Sequence, residues 1–255
     1  MKKILSYILT PFHLVFFGLV LVVFHAIQWL ALNIGGYRWH KRSVDYLNIW
    51  LTRSLLLLGT RVRFFNSHEI PTDRPLIIVS NHQSMHDISP ILWNLRQHHV
   101  KFVSKKELGK GIPSVSYNLR HGGSVLIDRK NPRQAIPALK KFGEYIETNK
   151  YAAVIFPEGT RSRTGVPKSF APKGFLTLLK YIPSAVVVPI TINHSFHLQM
   201  GYPMTVGAQP TFTVHEPIDP TGRDPKEVFE ETEAVIKAGI DLPSTAKEPE
   251  GSGNL

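Results

Sequence analysis

Residues 4–37 contain no Asp, Glu, Lys or Arg. Their densest part, Phe12 to Leu32, is long enough to cross a bilayer as a helix. Pro11 marks a kink or a start, and Trp29, Tyr37 and Trp39 suit an interfacial belt. No small-residue cleavage site follows, which argues against a removable signal peptide. A second apolar run, Leu47 to Leu58, is interrupted only by Asn48, Thr52, Arg53 and Ser54. Lys2 and Lys3 precede the first run, and Arg38, Lys41 and Arg42 follow it, so the positive-inside rule gives no orientation for a single span. Two arrangements fit: a two-helix hairpin lying in one leaflet with every basic flank on the cytoplasmic side, or one transmembrane helix.

Gly59 ends the second run, and the pattern then changes period. Short apolar stretches rich in β-branched residues predict strands over 61–65, 75–80, 100–103, 124–128, 153–156, 185–191 and 211–215. Between them, helical spacing predicts helices from Asp87 to about His98, Pro132 to about Thr148, Pro172 to Lys180, and an acidic helix over 225–239. Strands alternating with helices predict an α/β fold, a three-layer domain with a largely parallel central sheet, preceded by the apolar two-helix anchor. The expected division is an anchor over 1–59, a catalytic domain over 60–240 and a flexible tail over 241–255. Ligands of such sheets bind beyond the carboxyl ends of the strands. His82, Arg129, Glu158 and Arg161 all fall at such ends.

Charge narrows the partners. The chain carries a formal net charge of +11, but residues 216–255 hold ten Asp or Glu against four Lys or Arg, leaving 26 basic and nine acidic residues in 1–215. A basic body suits phosphates. The apolar amino terminus points to a membrane surface and lipid headgroups rather than nucleic acid. There are no cysteines, which excludes thiol nucleophiles, disulfides and cysteine metal sites. The twelve histidines show no HExxH or comparable ligand spacing, so no metal is expected.

The candidate chemistry lies where the 75–80 strand stops. Ile77-Ile78-Val79 runs into Ser80-Asn81-His82-Gln83-Ser84-Met85-His86-Asp87, a strand, a tight loop and the start of a helix. Across that corner the loop can fold Asp87 back onto His82, and a His oriented by an Asp is a general-base arrangement for deprotonating a hydroxyl. The plainer reading makes Asp87 an N-cap and His82 an exposed loop residue. A second strand ends in Phe156-Pro157-Glu158-Gly159-Thr160-Arg161-Ser162.

Together these stretches resemble the NHxxxxD and FPEGTRS blocks of the glycerolipid acyltransferase family, specifically its 1-acylglycerol-3-phosphate acyltransferases. Gly123 to Arg129 resembles the family's GxxFIDR block, with Leu126 where Phe is usual, and Val187-Val188-Pro189-Ile190 its apolar-Pro block. All four fall in the family's order, over roughly residues 70 to 200. The resemblance implies acyl transfer from acyl-CoA or acyl-carrier protein to the 2-hydroxyl of 1-acyl-sn-glycerol-3-phosphate, giving phosphatidate, with no metal and no bound cofactor. It assigns His82 as base and Asp87 as the group holding its tautomer. It places Lys105, Arg129, Glu158, Gly159, Thr160 and Arg161 on the substrate. For Glu158 a glycerol hydroxyl, an orienting contact to Arg161 and a structural cap all remain open. Val188-Pro189 fits either the acyl-donor side or an ordinary core strand. The implied localisation is the membrane, with the catalytic domain on its cytoplasmic face.

Overall fold

The apolar stretches that stop in polar residues assemble into one sheet. The structure, a computed structural model, describes residues 2–198 and 201–241; the carboxyl-terminal tail expected to fray lies largely outside them. The strands are β1 (Arg63–Phe65), β2 (Leu76–Ser80), β3 (Lys101–Lys105), β4 (Val125–Ile127), β5 (Ala152–Ile155), β6 (Val186–Asn193) and β7 (Thr211–Val214). Their order is β1-β7-β6-β2-β5-β3-β4. Every pair is parallel except β6–β7. The centre, β6-β2-β5, is buried on both faces, which is why these strands read as unbroken apolar runs. On one face Ile77, Val79, Ala153, Ile155 and Val187 pack on helices α4 (Pro132–Asn149), α5 (Pro172–Tyr181) and α6 (Pro225–Ala238). On the other, Ile78, Val154, Val188 and Ile190 pack around Ile91 of α2 (Ile88–Asn94). Ile78 is fully buried in this layer, so Ile78→Ala would cost on the order of 2–5 kcal/mol.

Helix starts follow their local chemistry. Pro stands at N1 of α4, α5 and α6, where its missing N–H has no helical partner to lose. Asn131 and Asp224 cap α4 and α6 by accepting the N–H of Gln134 and Lys226. Helix α3 (Val115–His121) lies in a stretch where the sequence predicts no element. It is short, and Ser114 before it has φ 60° and makes no side-chain cap. Tertiary contacts hold it instead: Ser114 Oγ donates to the Leu21 carbonyl at 2.6 Å, and Ser114 N–H to His25 Nδ1 at 3.2 Å.

The amino-terminal run, α1 (Lys2–Ser54), is helical throughout except at Gly36, where φ 66° and ψ −161° leave the helical region. Only glycine adopts that backbone cheaply. His13 Nδ1 donates to the Ser54 carbonyl at 3.0 Å. In an unbroken helix those residues would stand about 60 Å apart at 1.5 Å per residue. Phe17, Val20 and Leu21 meet Leu47 and Leu51 along the same seam, so the chain doubles back at Gly36. The segment 38–46, between the two apolar runs, is also helix, supported by the Lys41–Asp45 pair at 2.6 Å. The last turn tightens to a 3-10 helix over Leu55–Leu58 before Gly59.

Candidate active site

The loop after β2 brings His82 and Asp87 together, with Nδ1 and Oδ2 2.8 Å apart. The same Oδ2 accepts the N–H groups of Gln83 at 2.7 Å and Ser84 at 2.9 Å, and Oδ1 accepts the Ser195 hydroxyl. A carboxylate is acceptor-only, so Nδ1 carries the proton and Nε2 is left with its lone pair. Asp87 is fully buried, whereas the His82 side chain is 17% exposed, so only the imidazole is within reach of a ligand. Its ring lies on Phe156 with centroids 4.1 Å apart and planes 13° from parallel. Asp87 stands at the N-cap position of α2, but its side chain makes no capping hydrogen bond to that helix. Ser84 is the cap of the first turn and Asp87 its third residue, closing a capping box. The cap position and the contact to His82 are compatible because the turn, not α2, supplies the corner.

Glu158 is used differently from either substrate role that the sequence offers. Its Oε1 accepts the His82 N–H at 2.7 Å and its Oε2 the Lys168 N–H at 2.8 Å. The residue is buried and does not line the cavity, so it clasps the loops after β2 and β5 to each other. Ser162 N–H to the His82 carbonyl, at 2.7 Å, adds a second tie. Burial pushes the Glu158 carboxyl up, while the hydrogen bonds from Lys168 and His82 pull it back. Gly159, at φ 71°, turns the chain after Glu158 so that its carbonyl accepts from Arg129. Thr160 Oγ1 accepts from Lys168 Nζ at 2.7 Å.

His82, Lys105, Arg129, Gly159, Thr160 and Arg161 line one cavity of about 740 Å³. Among the described residues, none of Lys105, Arg129 and Arg161 has a carboxylate within ion-pair distance. Three cations without counter-ions beside a basic nitrogen leave room for an anionic ligand. Beyond them the lining turns apolar: Leu14, Phe17, Leu21, Leu47 and Leu51 from α1 face Ile112, Val115 and Leu119. Nothing in the sequence marks the amino-terminal hairpin as a wall of this cavity. His86 also lines the cavity, and its Nε2 is buried without a partner among the described residues. Burial, with His13 adding to it, pushes the His86 imidazole down to about 4.

Val188 and Pro189 sit inside β6 in the core and do not line the cavity, which leaves the core-strand reading of the two. Ser195, buried at the back of the motif loop, belongs to no motif singled out in the sequence, and Gln83, buried beside it, is an unassigned position within the His82–Asp87 motif.

A family model described as Acyltransferase matches residues 61–193. The 1-acyl-sn-glycerol-3-phosphate acyltransferase alpha of Ovis aries is 29% identical over 152 residues, covering 59% of this chain and 51% of that protein. The Homo sapiens protein of the same name is 28% identical over 189 residues, 73% of this chain and 65% of its own length. The chain thus spans less than two thirds of these curated relatives. The crystal structure of the 1-acyl-sn-glycerophosphate acyltransferase PlsC from Thermotoga maritima superposes with a TM-score of 0.78 at 26% identity, covering 98% of this chain and all of that one.

Proposed function

The chain belongs to the acyltransferase family, and from that premise we propose that it acylates the 2-hydroxyl of 1-acyl-sn-glycerol-3-phosphate to give phosphatidate. The donor is an acyl thioester, carried by coenzyme A or acyl-carrier protein. The observation that carries the reading is the His82–Asp87 pair at the polar end of a cavity that is otherwise apolar. His82 Nε2 takes the proton of the acceptor hydroxyl as its oxygen attacks the thioester carbonyl. The tetrahedral intermediate collapses by breaking the carbon–sulfur bond, and the imidazolium returns the proton to the departing thiolate. Asp87 keeps Nδ1 protonated and stabilises the imidazolium in between. The acceptor phosphate lies among Lys105, Arg129 and Arg161, where a guanidinium fork matches it. The acyl chain runs along the hairpin side of the cavity. The likeness to the named relatives and to PlsC supports this acceptor.

The hairpin supports a membrane-surface enzyme. Thr10 Oγ1 accepts the Met204 N–H at 2.9 Å near one end, and Tyr37 OH meets His99 Nδ1 at 3.2 Å near the elbow. A helix tied to the catalytic domain at both ends cannot also carry its elbow across a bilayer. Its outer face exposes Phe12, Val15, Leu19, Val22, Trp39 and Trp50, a patch far more apolar than water tolerates. We therefore place the hairpin in one leaflet, with the catalytic domain on the cytoplasmic face. The test incubates full-length protein in detergent with oleoyl-CoA and a panel of lysolipids and identifies products by mass. Phosphatidate from lysophosphatidate, absent with His82→Ala, is expected. Acylation of every lysolipid except lysophosphatidate would overturn the acceptor, and no acylation would overturn the reaction.

A further inference from the structure

Most contacts behind the catalytic loop come from a stretch that starts inside β6 and runs beyond it, past the apolar-Pro block. The Asn81 side chain donates to the Ile192 carbonyl at 2.8 Å and accepts its N–H at 2.7 Å. Gln83 Oε1 accepts the N–H groups of Ser195 at 3.0 Å and Phe196 at 3.3 Å, while its Nε2 donates to the Gly165 carbonyl at 3.2 Å. Ser84 Oγ donates to the Leu198 carbonyl at 2.9 Å. The chain enters this strap through His194, held in the left-handed region at φ 62°. A non-glycine residue adopts that backbone only where its surroundings fix it. The consequence of the turn is that Ser195 Oγ donates to Asp87 Oδ1, from the side opposite His82.

We propose that Ser195 is a positioning residue for the acyl transfer, its hydroxyl holding Asp87 in the orientation that aligns the His82 imidazole. The inference rests on the acyltransferase reading given above. Asp87 Oδ2 has three donors, but Oδ1 has Ser195 alone among the described residues. The hydroxyl has one hydrogen, and the carboxylate, which only accepts, commits it. Ser195 is 1% exposed and does not line the cavity, so it touches no substrate and is no nucleophile. Its effect passes through Asp87. Without the hydroxyl the carboxylate keeps its charge on Oδ1 uncompensated in a buried site, which strengthens its pull on the imidazolium proton. It also gains freedom to rotate.

The test compares the full-length wild type with Ser195→Ala, and with Ser195→Cys as a variant of closer volume and weaker donor. Turnover of oleoyl-CoA and 1-oleoyl-lysophosphatidate is measured across pH. In Ser195→Ala, kcat should fall on the order of tenfold, the worth of one ordinary hydrogen bond. The KM for lysophosphatidate should stay within about twofold, because no substrate contact is removed. The acid limb of the profile should move to higher pH, with Ser195→Cys between the two. The other charged groups around the pair are Glu158, His86, His13, Lys105, Arg129 and Arg161. All are retained, so a moved limb reports on Ser195. A purely structural role would lower the active fraction and leave the limb in place. The second readout needs no turnover: the ¹⁵N resonances of the His82 ring, assigned with His82→Ala, should titrate at higher pH in folded Ser195→Ala. An unmoved ring titration with unchanged kcat overturns the proposal. Wild type that forms no phosphatidate overturns the acyltransferase reading alone, since the ring titration still tests Ser195.

Discussion

Asp87→Asn separates the charge of this residue from its hydrogen bonding. The amide oxygen can take the place of Oδ2 and accept from Gln83 N–H, Ser84 N–H and His82 Nδ1, at the positions now 2.7, 2.9 and 2.8 Å away. The amide nitrogen then faces Ser195, whose hydroxyl can turn to accept. The fold is expected to survive and the tautomer of His82 to be kept. What disappears is the negative charge against the imidazolium. A hydrogen bond to a charged partner contributes about 1.5–3 kcal/mol, against about 1 for a neutral pair. Losing the difference, about 0.5–2 kcal/mol where the imidazolium forms, should therefore lower kcat by roughly 2- to 30-fold. His82→Ala, which removes the base itself, should cost on the order of 10²–10⁴-fold. Asp87→Ala is the contrast, because it leaves two buried N–H groups unmet, at about 1–3 kcal/mol each. For a domain of this size that is a drop in melting temperature of roughly 5–20 °C. The assay is phosphatidate formation from oleoyl-CoA and lysophosphatidate, paired with a thermal melt. Folded Asp87→Asn with wild-type turnover would refute the reasoning, because the geometry would then suffice without the charge.

Arg129→Ala and Arg161→Ala should each raise the KM for lysophosphatidate with a smaller effect on kcat, and Lys should rescue poorly because it lacks the planar fork; unchanged acceptor KM in both would move the phosphate to Lys105. His86 is neutral in the fold but titrates in its ordinary range when unfolded, so the unfolded chain binds the extra proton between about pH 6.5 and pH 4. Stability should be level above that window and fall through it on acidification, by at most about 3 kcal/mol. His86→Phe should flatten this slope in chemical denaturation, and an unchanged slope would assign the acid sensitivity elsewhere. Removal of residues 1–58 should abolish activity even on short-chain lysolipid, because the cut strips Leu14, Phe17, Leu21, Leu47 and Leu51 from the cavity wall; an active truncated domain would show that the hairpin is only an anchor.

Strand ends were the most legible part of the chain. Where an apolar run stops abruptly, as at Ser80 and Phe156, the stop marks the edge of a doubly covered sheet, and residues just past it line the cavity. His82, Arg129, Gly159, Thr160 and Arg161 were readable on that ground together with the motifs. Strand order was not, because nothing local in 76–80 says that 152–155 and 186–190 will flank it. The partners of Glu158 were hidden for a related reason. An acid beside motif residues looks substrate-directed, and only the tertiary fold brings the His82 and Lys168 N–H groups to its two oxygens. The roles of the Ser195 and Gln83 side chains left no trace, since their partners lie more than eighty residues away in sequence. Helix α3 was missed because its stability comes from docking on α1, not from its own propensity.

That docking changes how the amino-terminal segment is understood. An anchor need only be apolar on its outer face, and Phe12, Val15 and Trp50 meet that demand. The inner face does something else. Ser6, Thr10, His13, Gln28, His40, Asn48 and Ser54 are buried polar residues, an odd choice for a segment whose only task is to dissolve in lipid. Several make specific bonds: Thr10 to Met204, His13 to Ser54, and, from the domain side, Ser114 to Leu21 and His25. The Thr10 and Ser114 bonds fix where the hairpin sits against the catalytic domain, while His13 to Ser54 closes the hairpin on itself. The hairpin in turn supplies one wall of the cavity whose other end holds His82. An exposed apolar face on the outside and cavity lining on the inside are thus carried by the same two helical arms. Under the one-leaflet arrangement proposed above, an acyl chain in the leaflet would have one helix layer between the bilayer and the cavity that holds His82.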